Sequence, residues 1–112
     1  MAEGIERRKN QRTEVTWPVN VFTDQGTIEA ETKNISVDGV FISCDEPLSL
    51  NENYRFGIIP PNHQIIDVTG RVVWSDLYGI DENNRAFGMG VCFVEIPNND
   101  HNFLANVASA QF

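Results

Sequence analysis

The sequence of 112 residues has little of what marks several classes of protein. Its two cysteines, Cys44 and Cys92, lie far apart and form no CxxC pair, so neither a disulfide framework nor a zinc or redox motif is indicated. Cys92 lies in an apolar strand pattern, and we expect it to be a small buried side chain. No apolar run approaches the ~20 residues of a membrane helix, and the polar N-terminus does not resemble a secretory signal. We therefore expect a cytoplasmic protein without a metal site.

Basic residues are also scarce. Eight Lys and Arg face sixteen Asp and Glu, which gives a net charge of −8. Such a chain repels the phosphate backbone of long nucleic acids and anionic membrane surfaces, which argues against a DNA, RNA or membrane partner. Four of the eight basic residues lie within the first twelve positions, namely Arg7, Arg8, Lys9 and Arg12. The pattern indicates an acidic domain preceded by a short basic arm.

Residues for enzyme chemistry are not grouped either. The two histidines are isolated, with His63 in a loop rich in proline and asparagine and His101 at the start of a predicted helix. No nucleophile, base and orienting group occur together. The sequence therefore does not favour an enzyme.

What the sequence does contain is a series of short apolar runs with a period of two. Such alternation is typical of half-buried strands, and the runs are separated by turn residues. After Pro97 the apolar residues recur at helical spacing. We predict an all-β domain over residues 13–112, a small antiparallel barrel with a short C-terminal helix that caps an end or covers an edge, preceded by a flexible arm over residues 1–12. The strand-like runs are 15–21, 27–35, 40–43, 54–58, 64–75 and 87–93.

Three local signals refine this prediction. Asp24-Gln25-Gly26 is typical of a hairpin turn in which the glycine takes a positive φ. Pro18 lacks an N–H, so we expect the first strand to lie at a sheet edge or to be bulged there. Gly70, inside the fifth run, predicts a bend or bulge.

The basic arm is the first candidate for chemistry. Arg8 and Arg12 are four residues apart, so both guanidinium groups can face the same way. A guanidinium can bind a phosphate with two hydrogen bonds, or bind O6 and N7 of a guanine. Taken alone, RxxxR is more often a solvated basic tail.

The segment Asn34–Gly39 is the second candidate. Asn34 and Ser36 are two residues apart at the end of a strand, which predicts that they share a face, and Gly39 permits a tight turn. The alternative is a turn held by local hydrogen bonds from the asparagine or serine side chain. If the arm and this turn come together, they can trap a small anionic ligand that carries phosphates and guanine edges.

These two motifs, in this order on this strand pattern, resemble the PilZ domain family of bacterial cyclic di-GMP receptors. The family motif RxxxR is matched by residues 8–12 and (D/N)xSxxG by residues 34–39. Residues 70–74 and 88–93 look like the family's late strands, so the likeness covers about residues 6–110. It implies a six-stranded antiparallel barrel with a C-terminal helix and cyclic di-GMP as the ligand, without a resident cofactor.

The resemblance also assigns ligand-binding residues by position. Arg8 and Arg12 would bind the guanine edges and phosphates of cyclic di-GMP. Asn34, Ser36 and Gly39 would line the opposite wall around one guanine. In the family the first position of the second motif is more often an aspartate, and the amide of Asn34 offers a weaker acceptor than a carboxylate.

Two further positions carry a role by resemblance. An arginine in the place of Arg7 goes with two stacked, intercalated ligand molecules in this family, so a ligand dimer is favoured over a single molecule. Trp74 matches a position where some relatives place an aromatic residue against a guanine. A core tryptophan on the same face as Val72 is the equal alternative.

The resulting hypothesis is a cyclic di-GMP receptor whose arm becomes ordered on binding. With no second domain expected, the signal would pass to a separate, unidentified protein effector, in a process such as motility, adhesion or exopolysaccharide control in biofilms. The alternative is an adaptor of the same fold that binds no nucleotide and acts by contact in pilus or motility assembly. A single-stranded nucleic-acid barrel is disfavoured by the charge of −8.

Overall fold

The computed structural model describes residues 12–79 and 85–109, which form six strands followed by one helix. The predicted all-β barrel with a C-terminal helix is thereby confirmed. The flexible arm was predicted over residues 1–12, of which all but Arg12 lie outside the described residues. The elements are β1 (Pro18–Thr23), β2 (Gly26–Ile35), β3 (Gly39–Cys44), β4 (Asn53–Ile58), β5 (Ile66–Gly79), β6 (Arg85–Glu95) and α1 (Asn98–Ser109).

The strands close into an antiparallel barrel in the order β1-β2-β3-β6-β5-β4, because β1 pairs with both β2 and β4. The expectation of an edge strand or a bulge at Pro18 was therefore wrong. Pro18 is the first residue of β1, a position that tolerates the missing N–H. Its carbonyl still accepts a hydrogen bond from the Ile59 N–H at 2.9 Å.

The interior is filled by the alternate, inward-facing residues of all six strands, as the period of two predicts. One helix residue, Leu104, is 1% exposed and joins this core. The helix covers the barrel end at which β1 begins and β4 ends. The main interior residues are Val19, Val21, Ile35, Val40, Ile42, Phe56, Ile58, Val68, Val72, Met89 and Val91.

A ring stack fixes the helix to this end of the barrel. Phe103 of α1 lies parallel to the ring of His63, with centroids 3.7 Å apart, and its other neighbour is Trp17 at 6.2 Å. The Nε2 atom of His63 lies 3.4 Å from an oxygen of Asp100, which is buried in the first turn of α1. In the ranges that the structure describes, no helix combines the length and apolarity needed to cross a bilayer.

Two irregularities in the β5–β6 pairing shape the outer surface. The first falls beside Gly70, as predicted, although the extra residue is Val94 of β6. The second lies between Val72 and Trp74 and leaves Val73 without a direct partner on β6. A bulge resets the alternation of faces, so Val73 and Trp74 both point outwards, 48% and 47% exposed. The predicted hairpin turn is also present, with Gly26 at a φ of 126°.

Candidate functional site

A groove of about 460 Å³ runs along the outer face of the barrel where β3, β6 and β5 lie side by side. Charged, polar and aromatic side chains line it, and it is open to solvent. The lining residues are Arg12, Asn34, Asp38, Gly39, Phe41, Val73, Trp74, Gly90, Val91 and Cys92.

Backbone pairing fixes the chain beside this groove. Thr13 and Ile35 exchange both of their backbone hydrogen bonds, at 2.8 and 2.9 Å, just at the end of β2. Further along, the hydroxyl of Thr32 accepts from the Trp17 N–H at 2.8 Å and donates to the Val15 carbonyl at 2.5 Å. The segment from Thr13 to Trp17 is thus tied to β2, so Arg12 is held at the rim of the groove.

The two sequence motifs meet at this rim. The Nε–H of Arg12 donates a hydrogen bond to the side-chain oxygen of Asn34 at 2.5 Å. The guanidinium is exposed, so it can exchange this partner for an anion entering from solvent. Arg7 and Arg8, the other predicted arginines, lie outside the described residues.

Ser36 is placed differently from Asn34. It is 1% exposed, and its hydroxyl donates to the carboxylate of Asp38 at 2.6 Å, while its N–H donates to the Gly39 carbonyl at 2.9 Å. Strand pairing ends at Ile35, so the alternation of faces does not extend to the serine. The structure therefore brings Asn34 into the groove and Ser36 into the turn beneath it, in the locally bonded arrangement that the sequence left as the alternative.

Gly39 is required by the packing of two strands. A Cβ atom at this position would lie 2.6 Å from the carbonyl oxygen of Val91, which belongs to the adjacent strand β6. Such a contact is too short for any side chain, so only glycine allows β3 to begin this close to β6. Because Gly39 has no side chain, its backbone is accessible at the groove, where the residue pairs with Cys92.

An aromatic pair forms one side of the groove. The rings of Phe41 and Trp74 lie 5.4 Å apart at an angle of 41°. Phe41 covers Gly88, where a Cβ atom would come within 2.9 Å of the phenyl ring. With its side chain 47% exposed, Trp74 is not part of the core, which Val72 enters instead. The tryptophan therefore presents an apolar face to the groove.

Several groove residues did not emerge from the sequence. Phe41 was detectable, because the alternation over 40–43 turns it away from the buried Val40 and Ile42. Cys92 was predicted to be buried, and this was wrong, since Val91 faces inwards and Cys92 is exposed in the groove. Asp38 occupies a variable position of the second motif and carried no signal of its own.

A second, wider depression of about 790 Å³ lies around the β1–β2 hairpin, at the barrel end opposite to α1. Its charged lining residues are Asp24, Glu46, Glu52 and Arg55, so carboxylates outnumber the single guanidinium. That balance is unfavourable for an anionic ligand. Over the residues described, no cluster of three metal-ligating side chains is present.

Comparisons with known proteins show which family the chain belongs to. The model of the PilZ domain matches residues 6–108 of this chain. The chain belongs to the PilZ domain family. No curated protein matches it at a significant level.

Solved structures with the same fold include other PilZ proteins. The PilZ domain of YcgR from Escherichia coli with c-di-GMP superposes with a TM-score of 0.77 at 10% identity, over 93% of this chain and 90% of that one. The inhibitor of motility MotI/DgrA from Bacillus subtilis gives 0.76 at 21% identity, over 94% of this chain and 51% of its own length. PlzA from Borreliella burgdorferi in complex with c-di-GMP gives 0.70 at 9%, covering 96% and 53%. This PilZ chain thus spans about half of two of these proteins, and the likeness is one of fold.

Proposed function

We propose that this PilZ domain is a receptor, and not an enzyme, that binds cyclic di-GMP in the groove between Arg12 and Trp74. The observation that carries the proposal is the contact between the two motifs, in which Arg12 is held against Asn34 at the rim of an aromatic-lined groove. The c-di-GMP complexes of the similarly folded YcgR and PlzA domains support the choice of ligand.

The chemistry of the groove suits this nucleotide. Its two phosphodiesters carry two negative charges, and an arginine binds such oxygens in pairs of short hydrogen bonds. Trp74 offers an indole face on which a purine can stack. Asn34 can bind a guanine edge once Arg12 turns towards the ligand, while Gly39 leaves room for the nucleotide to approach the backbone.

The arm supplies the second half of the binding site in this proposal. Arg7 and Arg8 fold over the bound nucleotide, and their charges neutralise its phosphates. The backbone bonds between Thr13 and Ile35 define the point from which this closure starts, because the chain is fixed to β2 from Thr13 onwards. A ligand dimer rather than a single molecule is favoured, through Arg7. Affinity falls as salt is added, since ion pairs contribute much of the binding energy.

Closure of the arm changes the surface beside β2, and this new surface is what we propose a separate protein effector recognises. The same fold used as an adaptor without a nucleotide remains the competing function. The two differ in one respect that can be measured, because only the receptor responds to cyclic di-GMP.

Calorimetric titration with cyclic di-GMP, with GTP as the control ligand, tests the proposal. We expect selective binding in the micromolar range or tighter. Arg12→Ala should weaken it by about 1.5–3 kcal/mol, the scale of a hydrogen bond to a charged group. Arg71→Ala is a matched control, because Arg71 also donates its Nε–H to an asparagine, Asn53 at 3.0 Å, but lies outside the groove lining.

The expected pattern is therefore a large loss for the first variant and little change for the second. Equal affinities for wild type and Arg12→Ala would show that the ligand binds elsewhere. Absence of any heat of binding in the wild type would favour the nucleotide-independent adaptor.

A further inference from the structure

The rings of Phe41 and Trp74 meet across strand β6, to which neither residue belongs. In the strand register, Gly90 of β6 pairs with Phe41 of β3 on one side and with Trp74 of β5 on the other. The backbones of the two aromatic residues are therefore about 10 Å apart, twice the usual spacing of neighbouring strands. Their ring centroids nevertheless lie only 5.4 Å apart. This contact is possible because position 90 has no side chain to separate them.

A second glycine of β6 determines where the Phe41 ring lies. Gly88 is buried, and a Cβ atom on it would come within 2.9 Å of the ζ carbon at the far end of that ring. The ring therefore occupies the space that a side chain at position 88 would need. Phe41 thus rests on the backbone of β6 and contacts the indole of Trp74.

The indole of Trp74 has few other neighbours to hold it. The residue is 47% exposed, and within the described ranges Phe41 is its sole aromatic neighbour. An exposed side chain with two rotatable bonds occupies several rotamers. A ligand that stacks on it must select one of them, which weakens binding. A neighbour that already holds the indole lowers this cost, because tilted ring pairs at this distance attract each other.

We propose that Phe41 is a positioning residue that orients the Trp74 indole for stacking before the ligand arrives, and that Gly88 and Gly90 permit this ring pair to form. The inference rests on the proposed function, in which Trp74 stacks on a base of the nucleotide. It adds a residue that acts on the ligand only through Trp74.

The first test needs no ligand. Trp17→Phe keeps an aromatic ring beneath α1 and leaves Trp74 as the one tryptophan of the sequence. In this background, Phe41→Ala should lower the fluorescence anisotropy of Trp74 and increase its quenching by acrylamide. Phe22→Ala is the matched control and should change neither signal. Phe22 is also 40% exposed on the outer face, but Arg55 lies over its ring and it is outside the groove lining.

The second test measures binding of cyclic di-GMP by calorimetry. Phe41→Ala should weaken it by about two- to tenfold, the range for fixing one side chain at an interface. In the Trp74→Ala background the same substitution should have no further effect, because the indole through which Phe41 acts is gone. A further loss in that background would show that Phe41 contacts the ligand itself, and it would overturn the positioning role.

Gly88→Ala changes the place of the Phe41 ring while keeping the ring. The added methyl group meets only the far end of that flexible side chain and no backbone atom, so the fold should keep its stability while the ring pair is displaced. We expect a loss of affinity similar to that of Phe41→Ala. Gly57→Ala is the matched control on β4, outside the groove lining, where a Cβ atom would meet Ile65 at an ordinary 3.5 Å. It should bind as the wild type does.

Two results would overturn the inference while leaving the proposed function in place. One is an anisotropy of Trp74 that Phe41→Ala does not change, and the other is an affinity that both Phe41→Ala and Gly88→Ala leave intact. A wild type that does not bind cyclic di-GMP contradicts the proposed function itself, and the inference fails with it.

Discussion

The two tryptophans show how differently the two regions of this barrel use the same side chain. Trp17 is half-buried and packs against Phe103, so it helps to close the barrel end beneath α1. Trp74 lies on the outer face, 47% exposed, with Phe41 as its ring neighbour. Both come from alternating apolar runs. They differ in what lies over the ring, because helix α1 lies over Trp17 whereas Trp74 faces solvent.

The cysteines repeat this contrast. Cys44 is buried and donates to the Glu46 carbonyl, whereas Cys92 is exposed in the groove. We call the barrel interior and the barrel end beneath α1 the closed region. The closed region therefore accounts for stability, and the groove leaves polar and aromatic groups available to a ligand. Substitutions in the closed region should affect unfolding, and substitutions in the groove should affect binding.

The largest effect is expected from the closed region. Leu104→Ala removes a side chain that is 1% exposed and joins α1 to the core. The free energy of unfolding should fall by about 2–5 kcal/mol, as for other large-to-small core substitutions. Urea denaturation measures this. A loss of less than 1 kcal/mol would mean that the helix contributes little to closing the barrel.

A pair of variants tests how the segment from Thr13 to Trp17 is tied to β2. Thr32→Val leaves the Trp17 N–H and the Val15 carbonyl without their hydroxyl partner and should cost about 1–3 kcal/mol of stability. Thr13→Val is the matched control, because its buried hydroxyl has no hydrogen-bond partner among the described residues.

The control should unfold at the same denaturant concentration as the wild type or a slightly higher one. Equal destabilisation by the two variants would contradict the assigned role of the Thr32 hydroxyl.

Trp74→Ala should weaken ligand binding and leave stability almost unchanged, whereas Leu104→Ala lowers stability. We expect cyclic di-GMP affinity to fall by about 1–3 kcal/mol, the usual value for stacking of a base on an aromatic ring. Unfolding should change by less than about 0.5 kcal/mol, as for surface substitutions. Calorimetry and denaturation together give both numbers. A variant that loses stability but keeps its affinity would place Trp74 in the closed region after all.

The smallest effect concerns the thiols. Burial, assisted by the nearby carboxylates of Asp45 and Glu46, raises the pKa of Cys44 from 9.0 to about 11. The stability that this neutral thiol contributes is present below pH 9 and is lost as the pH rises towards 11, because the unfolded thiol ionises first.

Unfolding measured from pH 8 to 11 should show this decline, and Cys44→Ala should lessen it. At pH 8 an alkylating reagent should label Cys92 and leave Cys44 unmodified. Rapid labelling of Cys44 in the folded protein would contradict its placement in the interior.

The sequence was sufficient to predict the barrel, because inward residues such as Val19 and Val21 repeat with a period of two and Gly26 marks the first hairpin. It also indicated that the arm and the turn could come close, and Arg12, the last residue of the arm, does contact Asn34. These features depend on local pattern and on the order of strands along the chain.

The positions that sequence could not place are those where alternation is interrupted. The bulge after Val72 turns both Val73 and Trp74 outwards. Neither residue type is one that predicts a bulge. Ser36 is buried because the strand ends one residue earlier. The exposure of Cys92 follows from the register of β6 against β3, which pairs it with Gly39.

The central claim is that the groove, and not another part of the barrel, receives the nucleotide. Titration of the ¹⁵N-labelled protein with cyclic di-GMP, followed by amide chemical shifts, tests it most directly. The account predicts the largest shifts at residues 12–13, 34–41, 73–75 and 88–92. Shifts concentrated around the wider depression at residues 22–28 and 46–55, or no shifts at all, would contradict it.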